Sequence, residues 1–150
     1  MGVDSEVYRL VLVVHIAAAV VGFGAIALNG VYASQAHRRG GAEGAAIGDA
    51  NRAATRGAAL FVYAVPLLGI ALILLSDGTW GFDQPWISLS FLLYIVAAGL
   101  LGALVIPAQK GISAASGDLG RLQTKVATGT AAINLLVVAL LALMIWKPGA

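Results

Sequence analysis

Four long apolar segments constrain the fold of this chain more than any other feature of its sequence. They cover residues 8–36, 58–75, 86–106 and 126–146, and each approaches or exceeds the roughly 20 residues that cross about 30 Å of hydrocarbon. The bilayer interior offers backbone groups no water, so segments of this kind must form helices. The sequence therefore predicts an all-α fold: a single transmembrane domain, residues 1–150, built as an up-and-down bundle of four helices.

The composition supports a membrane protein and excludes several chemistries. Hydrophobic residues make up 60% of the chain and charged residues 11%, whereas soluble domains carry roughly 25% charged residues. Cysteine is absent, which excludes disulfides, thiolate metal sites and thiol nucleophiles. The net charge of +2 is too small to indicate a nucleic-acid partner. The predicted partners are the lipid bilayer and either further copies of the chain or other membrane proteins.

The basic residues predict the orientation of the bundle. Seven of the nine Lys and Arg residues lie in two connections, residues 37–57 and 107–125, whereas the connection over residues 76–85 carries none. Cytoplasmic loops carry an excess of Lys and Arg, so these two loops are predicted to be cytoplasmic and both termini extracytoplasmic. All three tryptophans fall at the outer ends, where an interfacial aromatic belt is expected.

Local signals predict where the helices begin and end. Gly40-Gly41 indicates a break, and helix-compatible sequence resumes near Glu43, so the second helix is expected to start before the membrane. Ser116 and Asp118 are predicted N-caps of the fourth helix, because their side-chain oxygens can accept its unpaired N–H groups. Pro107 is predicted to end the third helix.

One face of the first span combines small and polar residues. Alternating steps of four and three residues place these positions on one helix face, and such a face packs against another helix rather than against lipid. The positions are Tyr8, Leu12, His15, Ala19, Gly22, Ile26, Asn29 and Ala33. His15 and Asn29 are therefore predicted to point into the bundle from one continuous helix.

His15 is the sharpest candidate for a functional residue, since an ionisable group inside a span indicates function by default. It lies seven residues inward from Tyr8, roughly 10 Å at about 1.5 Å per residue. Counting inward by the same amount from Trp86 on the antiparallel third helix reaches Tyr94 to within one residue. A His15–Tyr94 hydrogen bond beside Pro66 is therefore predicted. Either His15 only stabilises the bundle, or it binds a ligand or handles a proton.

Further polar residues complete the predicted intramembrane cluster around His15. They are Asn29, Tyr63, Tyr94 and Asn134. Asn134, with Thr130 one turn earlier, is typical of interhelical hydrogen bonding. Tyr63 and Pro66 indicate either a cavity wall or ordinary packing. No catalytic residue and no metal site is predicted from the sequence.

Three stretches of the chain carry a family resemblance. They are residues 8–24 (YRLVLVVHIAAAVVGFG), residues 86–94 (WISLSFLLY) and residues 143–149 (LMIWKPG). These stretches resemble a bacterial family of predicted integral membrane proteins, domain of unknown function 2269. The resemblance implies a protein of the bacterial plasma membrane with four spans and no assigned activity.

A more remote similarity concerns a histidine early in the first helix and the Lys147-Pro148 ending. These features are similar to those of haem-binding, HemJ-type protoporphyrinogen oxidases and of CopD-type copper proteins. The similarity implies His15 as an axial haem ligand or a copper ligand. The chain departs from both patterns. It lacks the tryptophan-centred or arginine-rich surroundings of the oxidase, and it lacks the additional His and Met residues that a copper site needs. A bis-histidine haem within one chain is excluded, since His15 and His37 lie 22 residues apart, about 33 Å along one helix.

Three functional hypotheses follow from these observations. The leading one is a packing and interaction bundle without a cofactor or an enzymatic activity. The first alternative is a haem- or porphyrin-binding redox protein that uses His15. The second alternative is a small-solute carrier, and it requires a cavity lined by Tyr63, Pro66, Tyr94 and Asn134.

Overall fold

The computed structural model describes residues 2–114 and 117–150, and within them the chain forms α-helices and one short π-helical segment. The elements are α1 (Glu6–Ala27), α2 (Asn29–Arg39), α3 (Gly41–Leu75), α4 (Pro85–Leu100), the π-helical segment Leu101–Val105, α5 (Ile106–Ser113) and α6 (Leu119–Trp146). This order contains no strand in the described residues, as the apolar pattern predicts.

Four antiparallel spans result, which confirms the predicted four-helix membrane bundle. They run over Glu6–Arg39, Gly41–Leu75, Pro85–Ser113 and Leu119–Trp146, and each is long and apolar enough to cross a membrane. The helices extend well past the predicted spans. Much of the two predicted cytoplasmic loops, residues 37–57 and 107–125, is therefore helical, and only short connections remain outside the helices.

Two predictions about helix continuity are wrong. The first span is not one continuous helix, because Leu28 interrupts it with φ −86° and ψ −6°. Pro107 does not end the third helix, which continues to Ser113. Pro107 stands in the first turn of α5, after the π-helical segment, where a missing N–H disturbs the helix least.

Two other predictions about helix ends are confirmed. Gly40 and Gly41 adopt φ +63° and +49°, a left-handed conformation that favours glycine, and they turn the chain directly from α2 into α3. Asp118 caps α6, since its carboxylate accepts a hydrogen bond of 3.1 Å from the Arg121 N–H. The second predicted cap, Ser116, lies outside the described residues.

Small residues allow the helices to approach closely. The seam of the first span lies against α3, where a Cβ placed on Gly22 would stand only 2.9 Å from the backbone nitrogen of Val62. On the other side of the bundle, a Cβ on Gly129 of α6 would stand 2.9 Å from Val105. Val62 and Val105 are both completely buried. Such close backbone approach drives helix association in lipid, where the hydrophobic effect is lost.

Aromatic residues join the spans at the end of the bundle that carries both termini. The Trp80 indole N–H donates to the Tyr8 hydroxyl at 2.9 Å. The Trp80 ring meets Trp86 edge-on with centroids 5.4 Å apart, and the Lys147 ammonium lies 4.3 Å from the Trp80 ring centroid. One loop residue, Trp80, thereby ties the start of α1 and the start of α4 to the end of α6.

The contact between Gly22 and Val62 gives a direct test of this packing. Gly22→Ala is expected to lower the free energy of unfolding by roughly 1–3 kcal/mol, because the new methyl group meets backbone that cannot move aside. Thermal unfolding of the detergent-purified protein measures the change. Gly24→Ala is the matched control, since a Cβ there has no atom within 4 Å. Equal melting temperatures for the two variants would contradict the described packing.

Candidate functional site formed by two polar clusters

The first polar cluster consists of His15, Pro66 and Tyr94 with the carbonyls of Val62 and Val65. It lies in the half of the bundle nearer the two termini and is here called the outer cluster. Proline has no N–H, so the carbonyl of Val62, four residues earlier, receives no hydrogen bond from its own helix. The Tyr94 hydroxyl on α4 donates to this carbonyl at 3.0 Å. In a bilayer an unpaired carbonyl is costly, so Tyr94 replaces the donor that Pro66 lacks.

His15 of α1 contacts the same turn of α3. Its Nδ1 lies 3.1 Å from the Val65 carbonyl oxygen. A carbonyl only accepts, so Nδ1 must carry the hydrogen, and in the neutral ring Nε2 keeps its lone pair. The ring is half-buried and rests against Gly69, where a Cβ would lie 3.6 Å from its Cε1.

The predicted His15–Tyr94 hydrogen bond is wrong, because each side chain bonds to a carbonyl of α3 instead. His15 and Tyr94 nevertheless reach α3 at a similar depth, since Val62 and Val65 lie within one helical turn. The interruption of hydrogen bonding at Pro66 supplies an acceptor that a comparison of side chains alone does not reveal.

Two members of the predicted cluster lie apart from His15. Tyr63 is 46% exposed, and its hydroxyl lies 3.5 Å from where Gly102 would place a Cβ. Asn134 is half-buried on α6, and within the described residues its side chain forms no hydrogen bond. The structure therefore brings His15 and Tyr94 to one turn of α3, and neither Tyr63 nor Asn134 forms a hydrogen bond with them.

The fifth predicted residue, Asn29, belongs to a second cluster in the other half of the bundle. This inner cluster consists of Asn29, Asn51, Thr55 and Gln109, each at most 6% exposed. The Thr55 hydroxyl lies 2.9 Å from both the Asn29 Oδ1 and the Asn51 carbonyl, and it accepts from the Gln109 Nε2 at 3.1 Å. The Thr55 hydroxyl thus links α2, α3 and α5.

Some buried polar groups in and outside the inner cluster have no hydrogen-bond partner in the described part of the chain. The Asn29 Nδ2 is buried and has no partner within the described residues, and the same holds for the Thr130 hydroxyl on α6. A cavity of about 10 Å³ lies beside Asn51 and Gln109, which is about the volume that one water molecule needs. Two of its six lining residues, Asn51 and Gln109, are polar, so a single water there has side chains to bond to.

Sequence reasoning missed Asn51, Thr55 and Gln109 because all three fall in or beside segments assigned to cytoplasmic loops. One signal was available. Asn51 and Thr55 are uncharged polar residues at a spacing of four, and they alternate with Arg52 and Arg56. That pattern predicts a helix with its arginines on one side and a polar buried face on the other.

A second, larger cavity is a groove between α2 and α6. It has a volume of about 370 Å³. Its walls are Gly30, Ala33, Ser34, His37, Gly120, Gln123, Thr124 and Ala127. Neither cavity is lined by the residues on which the solute-carrier hypothesis depends, Tyr63, Pro66, Tyr94 and Asn134. That hypothesis stays a prediction.

Comparison with known proteins agrees with this architecture. The sequence profile of a family described as predicted integral membrane protein, domain of unknown function 2269, matches residues 9–148. The chain belongs to this family. The match includes every residue of the outer and inner clusters. No curated protein and no solved structure matches the chain.

A double-mutant cycle tests the role of Pro66 in the outer cluster. Tyr94→Phe is expected to lower the free energy of unfolding by roughly 1–2 kcal/mol, because the Val62 carbonyl then has no donor. In a Pro66→Ala background the same change is expected to have little effect, since the alanine N–H returns the missing hydrogen bond. Thermal or denaturant unfolding in detergent measures all four proteins. An equal loss in both backgrounds would contradict this account.

Proposed function

We propose that this protein is a packing and interaction bundle, which associates through its helices with further copies of itself or with other membrane proteins. The observation that supports the proposal is how its intramembrane polar groups are used. His15, Tyr94 and Thr55 each bond to groups on another helix. Polar side chains used in this way hold helices together.

The orientation and the location belong to the same proposal. The basic ends of the spans, with Arg38, Arg52 and Lys125, face the cytoplasm of a bacterial cell, and both termini lie outside it. This orientation predicts that a tag on either terminus reacts with reagents added outside intact cells. A shielded terminal tag would contradict it.

The outward faces of the helices supply the surfaces for association. Large apolar side chains are exposed along every span. One example from each span, in chain order, is Val20 (67% exposed), Leu67 (67%), Leu92 (57%) and Leu135 (74%). These faces meet either lipid or another protein. The absence of native cysteine makes each face addressable by one introduced thiol.

Single cysteines at those four positions test the proposal in native membranes. At least one of them is expected to form a disulfide-linked dimer, or a cross-link to another membrane protein, at low expression. Ile133→Cys is the control, because Ile133 is 1% exposed and faces the interior. If all four variants stay monomeric and uncross-linked, lipid alone covers the bundle and the proposal fails.

One observation favours a second candidate function, haem or porphyrin binding through His15. The hydrogen bond from Nδ1 to the Val65 carbonyl leaves Nε2 with its lone pair, and this arrangement is typical of histidines that ligate metals. Neither the inner cluster nor the groove between α2 and α6 contains His15. A porphyrin would therefore have to lie on the outer half of the bundle, beside α1 and α3.

An absorption spectrum of the protein purified from membranes separates the two candidates. Under the leading proposal the protein shows no Soret band, and His15→Ala only lowers its melting temperature, because the Val65 contact is lost. Under the second candidate a Soret band appears and disappears in His15→Ala. His37→Ala is the control, since His37 is exposed at the far end of α2 and is expected to change neither the band nor the stability.

A further inference from the structure

The groove between α2 and α6 is a cavity that neither proposed function uses. Each helix contributes four residues to it, with spacings of three, four and seven that place them on one helix face. The residues are Gly30, Ala33, Ser34 and His37 on α2, and Gly120, Gln123, Thr124 and Ala127 on α6. The α2–α6 groove is open, and its volume of about 370 Å³ is larger than a phosphate group requires.

Polarity changes along the groove from one end to the other. Because α2 and α6 are antiparallel, His37 and Gly120 lie at the end near the membrane surface, and Gly30 and Ala127 lie deeper. Polar side chains occupy the surface half, and glycine or alanine occupies the deep end. From His37 to Gly30 the groove runs along seven residues, about 10 Å.

Exposed cations neighbour, in sequence, the residues that line the surface end of the groove, and none of these cations is part of its wall. Arg38 lies one turn beyond Ser34, and Arg121 lies one turn before Lys125 and Thr124; all three cations are exposed. Ion pairs in the described residues involve Arg9 and Arg39 and none of these three. The nearby acidic group, Asp118, uses its carboxylate to cap α6.

We propose that the α2–α6 groove binds an anionic phospholipid, with the phosphate among Arg38, Arg121, Ser34 and Gln123 and the glycerol end against Gly30 and Ala127. Exposed arginine, amide and hydroxyl donors match phosphate oxygens. Clustered basic residues next to a span recognise anionic headgroups.

The deep end of the groove favours a lipid over a soluble anion. Beyond Ala127, the same face of α6 continues with the exposed residues Ala131 and Val138, and the half-buried Asn134 lies between them. An acyl chain can follow this mainly apolar face into the membrane, whereas a free phosphate gains nothing from it. The proposal requires only the described geometry, so it is independent of the association function and of the haem alternative.

Titration of the detergent-purified protein with phosphatidylglycerol, read by native mass spectrometry, tests the charges. The wild type is expected to retain phosphatidylglycerol and to release phosphatidylcholine. The double variant Arg38→Gln/Arg121→Gln is expected to lower the affinity about 25-fold, since each cation beside an anionic headgroup contributes roughly fivefold. Arg52→Gln/Arg56→Gln removes the same charge from α3, outside the groove, and is expected to leave the affinity unchanged.

A second pair of variants tests the groove itself. Gly30→Leu fills its deep end, and a Cβ at Gly30 meets no atom within 4 Å, so the fold tolerates the change while lipid retention is lost. Gly24→Leu is the control, with equally open space but outside the groove. Equal loss in both arginine double variants, retention by Gly30→Leu, or displacement of the lipid by an equal concentration of inorganic phosphate would each overturn the proposal.

Discussion

A backbone carbonyl in hydrocarbon must find a hydrogen-bond donor, and α3 contains one carbonyl for which its own helix has no donor. Pro66 leaves the Val62 carbonyl open, and Tyr94 of α4 fills the gap. His15 of α1 bonds to Val65 on the same turn. Two other spans are therefore fixed against α3 by backbone groups rather than by side-chain pairs. Because carbonyl positions follow the helix geometry, these contacts set both depth and rotation.

Each polar cluster lies beside an irregular stretch of helix. Leu28, where the first span is interrupted, directly precedes Asn29 of the inner cluster. The π-helical segment Leu101–Val105 ends one turn before Gln109. Pro66 lies within the outer cluster. Helix irregularities expose or reorient backbone groups, and π-helical turns occur frequently at functional sites. In this bundle polar side chains gather where the regular hydrogen-bond pattern is disturbed.

The sequence was sufficient for the four spans, the turn at Gly40 and Gly41, and the inward face that carries His15 and Asn29. These features follow from apolar length and helical periodicity, which are local. The partner of Tyr94 did not follow, because it is the Val62 carbonyl, which Pro66 leaves without a donor. The partner of His15 did not follow either, because it is a backbone carbonyl, that of Val65, and not a side chain. Thr55 and Gln109 were missed for a different reason. Charged neighbours such as Arg56 indicate the end of a span in the sequence. The uncharged residues beside them, which are buried in the bundle, are then assigned to a loop.

The two-glycine turn at Gly40 and Gly41 has a consequence for how the protein enters the membrane. It joins the first two spans with almost no intervening chain, and Gly44 packs directly against the backbone of Ala36 just beyond the turn. The first half of the chain is thus a closed helical hairpin. Such a hairpin can partition from the translocation machinery into lipid as one body, with the hydrogen bond from Thr55 to Asn29 already formed between its two arms.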